Sequence, residues 1–123
     1  METLSLIFKA FSDETRLRIV NLLGSGELCV CDLMNVLGLP QSNISRHLAY
    51  LRTAGWVRGQ RCGKWMHYRL NRELTPFQAK LLEGLMLTLK SHPQAMNDLE
   101  TLRAYLLTKD GRECTTTDSN RTE

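Results

Sequence analysis

The sequence predicts a mainly α-helical domain with one small β-hairpin. Over most of the chain, apolar residues recur at the three- and four-residue spacing of amphipathic helices. A single pair of β-compatible segments, Trp56–Gln60 and Trp65–Leu70, interrupts this pattern around a turn-rich connection at 61–64. A chain of 123 residues suits one domain with a small core, and a second copy would help to cover its apolar faces.

The first two helices are predicted from an apolar stripe and from capping residues. The first helix carries the i, i+3, i+4, i+7 stripe Leu4, Ile7, Phe8 and Phe11. Ser12 or Asp13 can cap the second helix, in which Leu17 and Val20 face inward. The Gly-Ser-Gly sequence at 24–26 ends that helix.

The next two helices are separated by the breaker sequence Gly38-Leu39-Pro40. A short helix from about Val30 to Leu37 precedes it, and a longer one runs from Gln41 to Ala54 with an apolar face of Ile44, Leu48 and Leu51. Two helices joined by a short glycine-containing turn are typical of a helix-turn-helix, whose second helix enters the DNA major groove. With the hairpin as a wing, the predicted fold is a winged helix-turn-helix.

Positive charge is concentrated in the same region. Residues 41–72 contain no Asp or Glu and carry seven of the 16 Lys and Arg residues, whereas the remainder holds nine cations and all 13 acids. Basic stretches are often only solvated faces, but the absence of acids over 32 residues indicates a polyanionic partner.

The candidate DNA contacts lie at the start of the second helix of the motif and at the tip of the hairpin. Gln and Asn can bond adenine edges, Arg can bond guanine, and Ser hydroxyls suit phosphate. The helix positions are Gln41, Ser42, Asn43, Ser45, Arg46 and His47, and in the wing Arg61 and Lys64 can lie on the DNA backbone or in the minor groove. The alternative for the helix positions is a polar face that only covers an exposed helix.

Two helices are predicted after the hairpin. Thr75 can cap a long helix, and His92-Pro93 ends it. The apolar stripe of this helix suits a dimer interface or, alternatively, an intrachain core. It consists of Phe77, Leu81, Leu82, Leu85 and Leu89. A final helix covers 94–107. We therefore expect a DNA-binding and dimerisation domain at 1–108 and a disordered tail at 109–123.

Three segments together resemble the arsenical-resistance repressor family (ArsR/SmtB). They are ELCVCDL at 27–33, QSNISRHLAYLRTAG at 41–55 and GKWMHYRL at 63–70, and the resemblance extends in order from Leu4 to Leu89. It implies a dimeric winged-helix repressor that binds double-stranded operator DNA and leaves it when a metal binds. In the arsenic-sensing branch, a third cysteine commonly follows the pair by one helical turn, but Met34 stands there in this chain.

Cys29 and Cys31 are the candidate metal ligands, because thiolates select thiophilic ions. The resemblance implies As(III) or Sb(III) as the inducer. Residues two apart in a regular helix point about 200° apart, so we expect joint ligation to require an unwound or deformed helix start. Asp32 is a hard oxygen donor that suits capping or contact with basic side chains, and Met34 suits core packing.

The third donor to the ion is left open by the sequence. A buffer thiol, hydroxide, Cys62 or Cys114 could supply it, and either cysteine could also be a bystander. The C-terminal helix lacks the Asp-x-His and His-x-x-Glu pairs that zinc and cobalt sensors of the family use there.

Three other functions compete with this hypothesis. A Cd(II) or Pb(II) repressor would need further thiols, and residues 1–12 contain no Cys. A thiol-redox repressor would need a Cys-x-Cys disulfide, which we expect to be strained. An enzyme lacks support, because no Cys-His-Asp set, phosphate-binding Gly loop or carboxylate pair is found. The absence of a signal peptide or membrane span predicts a cytoplasmic protein with no membrane partner, in which cysteines stay reduced.

Overall fold

The computed structural model describes residues 1–109; residues 110–123, which include Cys114 and nearly all of the predicted tail, lie outside the described part. The described chain folds into helices and strands in the order α1 (Glu2–Ala10), α2 (Glu14–Leu23), β1 (Leu28–Cys29), α3 (Val30–Leu37), α4 (Gln41–Thr53), β2 (Val57–Cys62), β3 (Trp65–Leu70), α5 (Pro76–Leu89) and α6 (Pro93–Lys109). The predicted fold class, mainly α-helical with a hairpin wing, is confirmed.

The strands form one antiparallel sheet in the order β1-β3-β2. The pairing of β2 with β3 runs to Cys62 opposite Trp65, which leaves a two-residue turn whose Gly63 has a φ of 63°, accessible to glycine without strain. The sequence does not predict β1, because a strand of two residues shows no alternating pattern. This strand pairs Cys29 with His67 of β3.

Local capping explains where the helices begin and end. Of the two candidate caps for α2, Asp13 is the one used, since its Oδ1 accepts the Arg16 N–H at 3.1 Å. Thr75 caps α5 as predicted. Gly38, with a φ of 69°, ends α3 in the left-handed conformation and allows the sharp turn into α4.

The core lies between the helix-turn-helix, α2 and the sheet. Its largest fully buried side chains include Trp56, Ile19, Leu22, Leu33, Ile44, Leu48 and Leu51. Phe11 stacks on Trp56 with ring centroids 4.3 Å apart, and the Trp56 indole N–H donates to the Ile7 carbonyl at 3.1 Å. These contacts fix α1 against the DNA-binding half of the fold.

The C-terminal helix extends further than the sequence predicts. The predicted tail begins at Lys109, but this residue occupies the last turn of α6, where its ammonium pairs with Asp32 of α3. Within residues 1–109, no helix is both long and apolar enough to cross a membrane.

Candidate DNA interface and thiol site

The helix-turn-helix presents one polar face of α4 to solvent. Ile44, Leu48 and Leu51 are fully buried, which confirms the predicted inward face. On the outer side, Gln41, Ser42 and Arg46 are exposed, and Asn43 and Ser45 are half-buried. The structure thus brings together five of the six predicted contacts on the helix.

The sixth, His47, points inward and is a correction to the predicted set. It is 9% exposed, and its Nδ1 lies 3.2 Å from the Arg16 guanidinium and 3.9 Å from the Asp13 carboxylate. Burial is the main reason that the pKa of His47 lies below its ordinary value, and Arg16 and Arg46 act in the same direction against the opposing effect of Asp13. This buried imidazole joins the inner face of α4 to Arg16, so we remove His47 from the candidate DNA contacts.

Arg16 is a structural residue that the sequence did not reveal. Its Nε donates to the Ala10 carbonyl at 2.9 Å, and its guanidinium carbon lies 4.1 Å from the centre of the Tyr50 ring. A basic residue in an amphipathic helix resembles any solvated side chain, and no local pattern shows that α4 packs on it.

The wing carries the two remaining candidate contacts at its tip. Arg61 and Lys64 are both exposed on either side of the Gly63 turn. Arg58, at the other end of β2, is 3.0 Å from Glu73, so part of its charge is compensated.

The two cysteines meet at the junction of β1 and α3. Cys29 is the residue that caps α3 with extended backbone, Cys31 is the second helical residue, and their Cα atoms are 5.4 Å apart. Of the two arrangements expected for joint ligation, an unwound or a deformed helix start, the structure has the first, because Cys29 lies outside the helix. The expectation of reduced cysteines differs from the structure, in which the two sulfurs are joined as a disulfide.

Asp32 lies beside the cysteine pair and is almost fully buried. One carboxylate oxygen, a Cys29 sulfur and a Cys31 sulfur all lie within 4.8 Å of one another. Its Oδ2 accepts the Cys29 N–H at 2.9 Å, and its Oδ1 accepts the Tyr105 hydroxyl at 2.8 Å and the Lys109 ammonium at 2.7 Å. Both oxygens of Asp32 are thus engaged in hydrogen bonds, and the two sulfurs are the soft donor atoms of this cluster.

The other residues considered as sulfur donors are placed elsewhere. Among the described residues, Cys62 is half-buried at the end of β2 and is not part of the cluster. Met34 is half-buried and packs against the hydrophobic core, as expected for a gap-filling side chain. Cys114 lies outside the described residues.

Two structural connections join the thiol site to the DNA interface. Helix α3, which begins at the cysteines, packs on α4. Cys29 also pairs with His67 of β3, one of the two wing strands, and the His67 Nδ1 lies 3.5 Å from the Glu27 carboxylate. Cys29 therefore adjoins both the helix that packs on α4 and a strand of the wing.

The predicted apolar stripe of α5 is only partly available for an interface. Leu89 is buried, and the side chains of Leu81, Leu82 and Leu85 pack against the chain's own core, which is the alternative considered for this stripe. Phe77 is 45% exposed and meets the half-exposed Phe8 of α1 edge to face, with ring centroids 5.9 Å apart.

Comparisons with known proteins agree with this architecture. Residues 13–58 match the family model of bacterial regulatory proteins of the arsR family. The chain is 46% identical over 107 residues to the arsenic resistance transcriptional regulator ArsR2 of Pseudomonas putida, covering 86% of this chain and 88% of that protein.

Two solved structures are also similar. The AntR antimony-specific transcriptional repressor is 34% identical with a TM-score of 0.56, over 72% of this chain and 78% of that one. A homodimeric winged helix-turn-helix DNA-binding domain from Mycobacterium bovis is 25% identical with a TM-score of 0.62, over 75% of this chain and 82% of that one.

Proposed function

Because this chain belongs to the ArsR family of transcriptional regulators, we propose that it is an arsenical-resistance repressor. It binds operator DNA as a homodimer, and it is released when As(III) or Sb(III) binds Cys29 and Cys31. The observation that carries this proposal is the meeting of both sulfurs at the N-terminus of α3, the helix that packs on α4. The arsenic regulator and the antimony-specific repressor to which the chain is similar support the choice of inducer.

The operator is held by the polar face of α4 and by the tip of the wing. In α4, Arg46 and the amides of Gln41 and Asn43 read base edges, while Ser42 and Ser45 bond phosphates. Arg61 and Lys64 contact the DNA backbone beside the major groove. A homodimer places two such surfaces on an inverted repeat, and the homodimeric structural neighbour supports this state.

The inducer acts through the N-terminus of α3. Once the disulfide is reduced, two thiolates can hold one trivalent ion at a site already connected to α4 and to β3. By linkage, the ion displaces DNA only as far as it prefers the DNA-free form, and a change in occupancy from 99% to 1% requires roughly a 10⁴-fold preference, about 5.5 kcal/mol. A third donor, either hydroxide, a buffer thiol or Cys114, completes the coordination.

The test uses full-length protein reduced with a phosphine and a DNA duplex that the protein itself selects from a random pool. Operator binding is followed by fluorescence anisotropy during titration with arsenite, antimonite, Cd(II), Pb(II) and Zn(II). Cys29→Ser and Cys31→Ser should keep operator affinity and lose release by arsenite, whereas Cys62→Ser should change neither.

Two other results would redirect or overturn the proposal. Impaired release in Cys114→Ser would identify the tail thiol as the third donor. Release of the Cys29→Ser, Cys31→Ser double variant at wild-type arsenite concentrations would show that the inducer site is wrong, and release by Cd(II) or Pb(II) alone would favour the corresponding metal-responsive repressor.

The joined sulfurs favour one second candidate function, a repressor that senses thiol oxidation. In that case, formation of the Cys29–Cys31 disulfide would itself release the operator. Comparing the operator affinity of oxidised and phosphine-reduced protein without metalloid separates the two functions, because equal affinities would exclude redox release.

A further inference from the structure

The last turn of α6 closes over the start of α3. Tyr105 and Lys109 lie on the same face of α6, four residues apart, and both donate to Oδ1 of Asp32, at 2.8 and 2.7 Å. The other oxygen of the same carboxylate accepts the Cys29 N–H at 2.9 Å. Asp32 thus connects the Cys29 backbone to Tyr105 and Lys109, which follow Asp32 in the chain by 73 and 77 positions.

Burial makes these contacts different from a surface ion pair. The side chains of Asp32 and Lys109 are 4% and 14% exposed. A carboxylate at such a site needs hydrogen-bonded partners, since an unpaired buried charge is strongly unfavourable. Removing Lys109 or Tyr105 therefore takes a donor from this buried carboxylate. Because the same carboxylate accepts the Cys29 N–H, we expect its rearrangement to change the backbone position of Cys29.

We propose that Tyr105 and Lys109 are positioning residues of the inducer site and that, through Asp32, they hold Cys29 and Cys31 in the arrangement that binds one ion. This inference rests on the function proposed above and extends it to α6. Its basis is that one carboxylate, that of Asp32, accepts the Cys29 N–H through one oxygen and both α6 donors through the other. A backbone ordered before binding loses less entropy when the ion arrives, which raises affinity.

The alternative is that these contacts only fasten a terminal helix to the domain. The chain offers a matched control, because a second buried carboxylate fastens the same helix elsewhere. Asp98 of α6 accepts Arg18 Nε at 2.8 Å and Arg18 Nη2 at 3.0 Å, and it is 2% exposed. Arg18 lies on α2, so this second pair joins α6 to a helix other than α3.

The experiment measures arsenite affinity directly on the reduced full-length chain, from the ultraviolet absorption of the sulfur-to-arsenic bonds, and operator affinity by anisotropy. Lys109→Met and Tyr105→Phe should each weaken arsenite binding, by roughly 10- to 100-fold for the lysine, as is common for residues that orient metal ligands. Lys109→Arg should restore most of the affinity. Operator affinity without arsenite should change less than about twofold in all three variants.

The control variants decide between the interpretations. Arg18→Met should leave arsenite affinity at the wild-type value, and an equal loss in Arg18→Met and Lys109→Met would overturn the proposal in favour of general loosening of α6. Wild-type arsenite affinity in both Lys109→Met and Tyr105→Phe would also overturn it. Tyr105→Phe keeps the ion pair, so it remains informative if Lys109→Met does not fold.

A further variant separates this inference from the proposed function. If the Cys29→Ser, Cys31→Ser double variant binds arsenite like the wild type, the inducer site itself is wrong, and the positioning role is overturned with it. If the double variant loses binding while both α6 variants keep it, only the positioning role fails.

Discussion

At the scale of single residues, Arg16 joins three helices through one guanidinium group. It donates to the carbonyls of Ala10 and Lys9 at the end of α1, at 2.9 and 3.1 Å, where carbonyl groups lack partners within the helix. Its Nη1 reaches His47 of α4 at 3.2 Å, and its guanidinium lies over the Tyr50 ring. The side chain thus positions α4 relative to α1 and α2.

We expect Arg16→Met to lower the free energy of unfolding by about 1–3 kcal/mol, because the Ala10 carbonyl and the His47 nitrogen lose the Arg16 donor while the aliphatic stem is kept. Urea denaturation followed by tryptophan fluorescence measures this loss. Arg52→Met, at an exposed position of the same basic region, should change stability by less than about 0.5 kcal/mol. Equal stability of the two variants would contradict the role given to Arg16.

His47 should make stability depend on pH. Its pKa is lowered in the folded protein from an ordinary value of 6.5, so below that pH the unfolded chain binds a proton more readily than the native one. The contribution of this group to stability is therefore complete above pH 6.5 and is lost as the pH falls towards the folded pKa. His47→Gln should flatten the rise of unfolding free energy with pH below 6.5, as measured by urea denaturation at a series of pH values.

The cysteine pair shows what residue patterns could and could not predict about the site. The Cys-x-Cys spacing and its place before the helix-turn-helix were sufficient to identify the two sulfurs as candidate ligands. Their relative orientation was not predictable, because it depends on whether the helix begins at Cys29 or after it. The partners of Asp32 were also beyond the sequence, since Tyr105 and Lys109 are brought to it only by the packing of α6 on α3.

At the scale of elements, the helices and the hairpin were predictable because each carries its own local signal. Capping residues, glycine stops and the apolar faces of α2 and α4 gave bounds close to those observed. Strand β1 and the partners of the α5 stripe had no such signal, because both are determined by contacts between distant segments. For the same reason, His47 was assigned to the outer face of α4, although Arg16 binds it from within.

The two cations at the tip of the wing should contribute to the salt dependence of operator binding. Arg61→Ala and Lys64→Ala should each reduce the slope of log affinity against log salt by about one unit, because a lost phosphate contact releases one fewer counterion. Anisotropy titrations over a range of salt concentrations measure the slope. Arg103→Ala is the control, because Arg103 is an exposed cation on α6, away from the wing. A change of slope in this variant equal to that in the wing variants would contradict the contact of Arg61 and Lys64 with phosphates.

At the scale of the whole molecule, the described chain leaves apolar side chains exposed where α1 meets α5. Leu4, Phe8 and Phe77 are 40%, 50% and 45% exposed, and the two rings already pack against each other. Large exposed apolar residues in a group mark association surfaces in soluble proteins. A symmetric dimer that used this face would bury the rings and present both α4 helices to one DNA duplex.

The last prediction is that Phe8→Glu breaks the dimer and, with it, tight operator binding. A charge at this position would be buried without a partner in the dimer but would remain solvated in the monomer, so the equilibrium should shift to monomers at micromolar concentration. Sedimentation equilibrium measures the mass, and anisotropy on duplexes with half-sites 10 to 10.5 base pairs apart, or a multiple of that spacing, measures binding. Leu107→Glu replaces an even more exposed residue, at 78%, on α6 and should stay dimeric. If Phe8→Glu were monomeric and still bound the operator at full affinity, the DNA-binding unit would be the single chain, and the homodimer model would be wrong.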